Sequence, residues 1–310
     1  MEFLCIFLLQ YEKGCGIIGM RTGAKPVPYI RINLRKGVFN MKKILALLAV
    51  VALMATMLCF AGCGEKAEDE VLDMATNAAF PPYEYKGDDG NFAGIDVEIA
   101  GKIAEKLGMT LKIHDVDFDT IISGVQTGKF DMGMAGMTVT DERKKSVNFS
   151  DTYATGVQAV IVKADSTYTS YEDFYTGFGD DGNPLGTKEG IKIGVQQGTT
   201  GDIYCSDEPA KWGFGMSNVT QYKTGAEAIE ALKGGKVTAV IIDNEPAKSF
   251  VAANEGLKIL EGKYTEEDYA ICVAKDKEEL LNKINTALKE LIADGTVAQI
   301  VEKYIPSDEK

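Results

Sequence analysis

Histidine is almost missing from this chain: His114 is the only one among 310 residues. A Cys/His metal cluster is therefore excluded. Hydrolysis by a His-activated nucleophile is disfavoured as well, since no Gly-x-Ser-x-Gly elbow occurs and His114 reads as a surface strand residue. No P-loop is present, and neither a metal nor a cofactor is expected. Tryptophan is limited to Trp212, in a stretch (204–215) without any motif. The six cysteines include Cys5, Cys15 and Cys59 near the N-terminus; only Cys63, Cys205 and Cys272 follow residue 62. Arginine is scarcer still beyond residue 62, where Arg143 stands alone among 25 basic residues.

One long apolar run is present. Lys42 and Lys43 precede Ile44–Gly62, which only Thr56 interrupts. A short basic region, an apolar core and small residues at the exit describe a secretory signal, though the run is also near the lower length limit for a membrane span. Phe60-Ala61-Gly62-Cys63 resembles a bacterial lipobox, with Phe where Leu is commoner. Cys63 is thus the expected lipidation site, and 63–70 an acidic tether. Met41 is a natural start for such a signal, so 1–40 is read as a mis-assigned upstream extension. The expected organisation is 1–40 extension, 41–62 signal peptide, 63–70 anchor and tether, and a globular part from 71.

Residues 1–62 hold 8 of the 33 basic and 2 of the 46 acidic residues, leaving a net charge of −19 over the remaining 248. That balance argues against nucleic acid, whose phosphates need clustered Lys and Arg, and against anionic membrane surfaces. Simple solubility explains the acidity.

Strand and helix patterns alternate through the globular part. Leu72–Thr76 reads as a strand and Asn77–Tyr83 as a turn, because Pro81-Pro82 cannot continue a strand. Asp96 is the expected N-cap of a helix ending at Gly108. Leu111–Ile113 (strand), Asp119–Thr127 (helix), Asp131–Ala135 (strand) and a polar helix near Thr140–Lys145 follow. After Val157–Val162 comes a Tyr-, Asp- and Gly-rich excursion, 164–190. The alternation restarts with strand Ile191–Val195, loop Gln196–Gly201, helix Ala226–Leu232 and strand Ala239–Ile242. Tyr269–Ala274 is a further strand, and two helices, one over 280–292 and one over Val297–Tyr304, close the chain. Such alternation implies two α/β units with mostly parallel sheets.

Arg143 is the first candidate for chemistry. Its planar fork binds a carboxylate bidentately, which lysine cannot do; the other reading is an ion pair with Asp141 or Asp151. Gly136 and Thr138 stand where a strand ends, the place where α/β sheets bind ligands. Gly198-Thr199-Thr200-Gly201 follows a strand of the second unit and offers backbone donors and hydroxyls. Asp243 ends another strand and reads either as the partner of an ammonium group or as a turn or cap residue. Phe80, Tyr83 and Phe118 either stack on a ligand or pack.

Thr76-Asn77-Ala78-Ala79-Phe80-Pro81-Pro82-Tyr83-Glu84-Tyr85, Gly94-Ile95-Asp96-Val97, Asp117–Ile122, Ala135-Gly136-Met137-Thr138-Val139-Thr140-Asp141-Glu142-Arg143, Phe149-Ser150-Asp151, Ile193–Thr200 and Ala239–Asp243 occur in this order. Together they resemble the polar amino-acid-binding family of bacterial solute-binding proteins over roughly 71–305. The resemblance implies a two-lobed, periplasmic-binding-protein-like (Venus-flytrap) α/β fold with two hinge-crossing strands, near Tyr153–Val157 and Glu267–Ile271. Lobe 1 would comprise 71–154 plus 270–310 and lobe 2 155–269; Cys205 and Cys272, in different lobes, would be free thiols. It further implies that Arg143, Thr138 and the Gly136 backbone hold a ligand carboxylate, that Thr199 and Thr200 reach it from lobe 2, and that Asp243 holds the ammonium group. Phe80 and Phe118 would sandwich the side chain, with Gln196 touching it. Asn77 stands where many members have Asp, which points to a neutral polar ligand. The implied partners are a free amino acid and the separate permease and ATPase of an ABC importer, with the protein a monomer, extracytoplasmic and held to the membrane by its lipid. The alternative is a secreted cyclohexadienyl dehydratase-like enzyme, for which Glu84 and Asp243 are the acids near the cleft.

Overall fold

The computed structural model describes residues 9–12, 15–18 and 70–306, apart from 263–265. The chain forms two compact units, Met1–Ala67 and Glu68–Lys310. In the first, β1 (Leu9–Glu12) and β2 (Cys15–Ile18) pair as an antiparallel hairpin. The apolar run and Cys63 lie outside the described residues. Among the described residues, no helix is long and apolar enough to cross a membrane.

Besides a small sheet of β4 (Ala79–Phe80), β5 (Glu84–Lys86) and β6 (Phe92–Ala93), the second unit contains two main sheets. In one, the central strand β3 (Val71–Thr76) lies parallel to β7 (Thr110–Asp115) and to β8 (Met132–Gly133). Alternation sends Leu72 and Met74 to one face, against Ile99 and Ile103 of helix α1 (Ile95–Leu107). Ala75 faces the other way, toward Ile121 and Val125 of α2 (Ile121–Gln126). A strand covered on both faces in this manner is what parallel pairing requires. The far side of the sheet is completed from the C-terminal part of the chain: β16 (Cys272–Ala274) pairs antiparallel with β8 and with β9 (Val147–Phe149).

The other sheet is built around β11 (Ile193–Gln196), parallel to β12 (Val219–Tyr222) and β13 (Ala239–Asp243). The long β10 (Ala154–Lys163) joins it antiparallel to β13, with β14 (Leu257–Ile259) beyond. The first residues of β10 lie outside that sheet. Ala154–Val157 pair antiparallel with β15 (Glu266–Tyr269), so two paired strands carry the chain across between the halves. Gly156 is required there: a Cβ would stand 2.1 Å from the Tyr269 hydroxyl, which lies over it. The two-lobed α/β architecture with two crossing strands is therefore present.

Several local expectations change. Gly94, not Asp96, is the N-cap of α1; Asp96 lies inside the first turn and is fully buried. The expected loop 196–201 is shorter, because Thr199 caps a helix, α4, over Thr200–Ser206, after α3 at Asp141–Ser146. The expected strand Tyr269–Ala274 is divided into β15 and β16. The 164–190 excursion is only partly superficial. Phe174 and Tyr175 are buried, Tyr175 stacks on Phe214 at 5.1 Å, and the Trp212 indole N–H donates to Asn183 Oδ1 at 3.2 Å. The two segments without motifs thus pack on each other. Cys205 and Cys272 are free and fully buried, in separate apolar clusters.

Candidate functional site

The parallel strands of both halves end at one narrow cleft, closed down to a cavity of about 10 Å³. Asn77, Phe80, Phe118, Gly136, Thr138, Arg143, Gln196, Thr199, Thr200 and Asp243 all line it, together with Glu84 and Ala135. The sequence scatters these residues over more than 160 positions. The fold gathers them because β3, β8, β11 and β13 all point their carboxyl ends at the same gap.

Arg143 is buried on the short helix α3, which Thr140 caps by accepting from the Arg143 N–H. Its Nη1 donates to Thr138 O at 2.7 Å and its Nη2 to Gly198 O at 3.0 Å, so it spans the two halves. The guanidinium also lies over the Phe118 ring, 5.4 Å from its centre. The expected alternatives are not realised: Asp141 pairs with Lys144 and Asp151 with Lys289. Among the described residues no carboxylate pairs with Arg143, and burial pulls its proton affinity down. The charges of Glu267 and Asp243 offset this only from a distance, and a desolvated cation with no carboxylate in direct contact is costly unless an anion joins it.

Asp243 occupies the N-cap position of a helix over Asn244–Ala253, but its side chain makes no capping bond. It accepts instead from the Tyr269 hydroxyl. Burial, reinforced by the charge of Glu267, raises its pKa to about 7. Asn77 and Gln196 meet across the gap, Gln196 Nε2 donating to Asn77 Oδ1 at 2.8 Å, while Asn77 Nδ2 donates to Val116 O. Thr199 donates to Gln196 O at 2.8 Å and accepts from Asp202 N, so its hydroxyl shapes the loop. Gly198 has φ 78°, and a Cβ there would lie 3.0 Å from Asp119 Cβ of the first half. The Gly136 N–H, expected to face a ligand, donates to Asp96 Oδ2 at 2.8 Å, where the Tyr153 hydroxyl also donates at 2.9 Å.

Sequence reasoning brings Glu84 to the cleft only as an acid of the alternative enzyme, and it leaves the buried Asp96 and Glu267 out of the site. Glu84 is fully buried beside Asp96; burial first, then the neighbouring Asp96, pushes its pKa well above the usual carboxylate range. No N–H or other hydroxyl donates to either Glu84 oxygen or to Asp96 Oδ1, and the two carboxyl groups share a hydrogen bond with one another. Burial likewise raises Asp96 to about 7. Glu267 was placed on a crossing strand, but nothing in Glu266-Glu267-Asp268 distinguishes a buried acid from a solvated edge. His114 contacts Asp73 at the sheet edge, away from the cavity.

The chain matches the family "Bacterial extracellular solute-binding proteins, family 3" over residues 72–307. It is 30% identical over 273 residues to the arginine-binding extracellular protein ArtP of Bacillus subtilis (strain 168), covering 86% of this chain and 100% of that relative. Among solved structures, the P235GK mutant of ArgBP from T. maritima aligns with TM-score 0.67 and 37% identity, covering 76% of this chain and 96% of that one. An ancestral arginine-binding protein bound to glutamine aligns with TM-score 0.67 and 38% identity, covering 76% and 98%.

Proposed function

Because the chain belongs to family 3 of the bacterial extracellular solute-binding proteins, we propose that its cavity captures a free amino acid and that the loaded protein delivers it to the permease and ATPase of an ABC importer. The observation that carries this reading is the unpaired, buried Arg143 facing the same cavity as the buried Asp243. A forked cation suits an α-carboxylate and an acid suits an α-ammonium. Thr138 and Thr200 add a hydroxyl from each half. A ligand held from both halves favours the closed arrangement, which is how binding becomes a signal for the importer.

Phe80 and Phe118 flank the side-chain end, and Glu84 supplies there the acid that Asn77 does not. The neutral polar expectation rested on Asn77 alone. Asn77 and Gln196 already satisfy one another, whereas Glu84 and Asp96 have only each other, so a side chain rich in N–H groups, which would displace the proton they share, fits best: arginine first, glutamine second. The protein is read as a binding protein. We further propose Cys63 as the lipidated N-terminus, 64–70 as tether, lobes of 71–154 plus 270–310 and 155–269, a monomer, and no 1–40 segment in cells. Intact mass of the membrane-extracted protein should show a chain beginning at diacylated Cys63; a chain beginning at Met1 refutes this.

Ligand identity is tested by thermal unfolding of residues 64–310 with each common amino acid and cystine. At about 100 times its dissociation constant a ligand adds about 2.7 kcal/mol. Glu84→Gln should weaken arginine at least about tenfold more than glutamine. Silence across the panel, from ligand-free protein, refutes amino-acid capture and directs the work to dehydration of a cyclohexadienyl acid, with Glu84 or Asp243 as the acid.

A further inference from the structure

Glu267 lies on the crossing strand β15, is 4% exposed, and stands outside the cavity lining. Three donors converge on its Oε2: Thr138 Oγ1 at 3.0 Å, Thr200 Oγ1 at 2.9 Å and Gln158 Nε2 at 3.0 Å. Thr138 belongs to the first half and Thr200 to the second, and their oxygens are 3.4 Å apart. Both threonines also line the cavity. A threonine hydroxyl has one proton to donate. One that donates to Glu267 has none left for a carboxylate in the cavity.

We propose that Glu267 is a positioning residue for capture: a carboxylate built into the hinge that holds one hydroxyl from each half while the cleft is empty and yields them to the ligand's carboxylate. The exchange rests on the amino-acid reading above; the bridge between the halves rests on the distances alone. Glu267 pairs in register with Gly156, and Gln158 lies two residues further on that strand, on the same face. Opening leaves Glu267 and Gln158 together but parts Thr138 from Thr200. Closing therefore adds a hydrogen bond to a carboxyl oxygen that already holds others, which raises the closed-to-open ratio about tenfold. With ligand present, the same acid competes for the hydroxyls and weakens the grip on a carboxylate.

The test uses residues 64–310, which contain the compact unit Glu68–Lys310 with its own apolar clusters. Spin labels go on Lys102→Cys and Lys211→Cys, one per half; Cys205 and Cys272 are fully buried and do not compete. In the empty protein, pulsed distance measurements should show Glu267→Gln lowering the closed-to-open ratio about tenfold. Thr138→Val should do the same, and the double variant should lose no more than either single one. An unchanged ratio in Glu267→Gln, or effects that add, overturns the bridge. In a second arm, L-arginine and L-argininamide are titrated by calorimetry. Glu267→Gln should raise the preference for the free acid over the amide at least threefold, a readout that a purely structural role leaves untouched. An unchanged preference overturns the exchange. If wild-type protein binds neither probe nor any other amino acid, the capture reading fails and the exchange with it, while the empty-cleft comparison still decides the bridge.

Discussion

An ammonium group can settle on Asp243 only when that side chain is a carboxylate, and burial and Glu267 hold its pKa at about 7. Binding below neutrality must then expel a proton. The ionised fraction falls from about nine-tenths at pH 8 to about one-hundredth at pH 5, so affinity should weaken about 90-fold, or about 2.7 kcal/mol. The empty protein moves in the opposite direction. A pKa raised above its unfolded value means that the folded state holds the proton more tightly. Asp243 therefore contributes stability that is fully present below about pH 4 and is lost as pH rises through about 7. Acidification should thus raise the melting temperature of the empty protein in this window and shrink the increment that ligand adds. Calorimetric titrations at pH 5, 6, 7 and 8, each in two buffers of different ionisation enthalpy, read both affinity and proton release. About half a proton should leave at pH 7 and about nine-tenths at pH 6. Asp96, also near 7 beside Glu84, adds to the slope if a cationic side chain engages that pair; Asp243→Asn isolates its contribution. A flat affinity from pH 5 to 8 with no buffer dependence would show that the ammonium group is not on Asp243.

Arg143→Lys keeps the charge but loses the fork and its bonds to Thr138 O and Gly198 O. Affinity should drop by about 2–4 kcal/mol in equilibrium titration, and near-normal binding would remove Arg143 from the carboxylate role. Gly198→Ala places a Cβ in a left-handed conformation and against Asp119 across the cleft. It should weaken binding about fivefold to tenfold by opposing closure, with little effect on ligand association rate; an unchanged dissociation constant would show that the loop adjusts freely.

Arg143, Gly136, Thr138, the Gly198–Gly201 loop and Asp243 stand out by their chemistry and position, whereas Asn77 and Gln196 are nominated only through the family resemblance. A single arginine among lysines, small residues after strand ends, and acids closing apolar strands carry meaning without any contact being known. All ten nominated positions line one cavity, though only the fold shows that Gly136 N–H and the Thr199 hydroxyl are already engaged within the protein. Misreadings arose where a short polar side chain has several local uses. Asp96 resembles a helix cap in sequence, yet its carboxylate reaches forty residues onward to Gly136. The aromatic excursion 164–190 looked superficial because its partners, Trp212 and Phe214, are remote in sequence.

What the sequence by itself determined is the α/β alternation, the family and most of the cavity lining, since periodicity, strand-end position and residue chemistry are local properties. What only the tertiary structure decided is which acids are buried and what each of them touches. Glu84, Asp96, Asp243 and Glu267 look alike in a chain of net charge −19 beyond residue 62. Burial separates them from the solvated majority, and burial depends on which strands cross between the halves and how closely the halves approach.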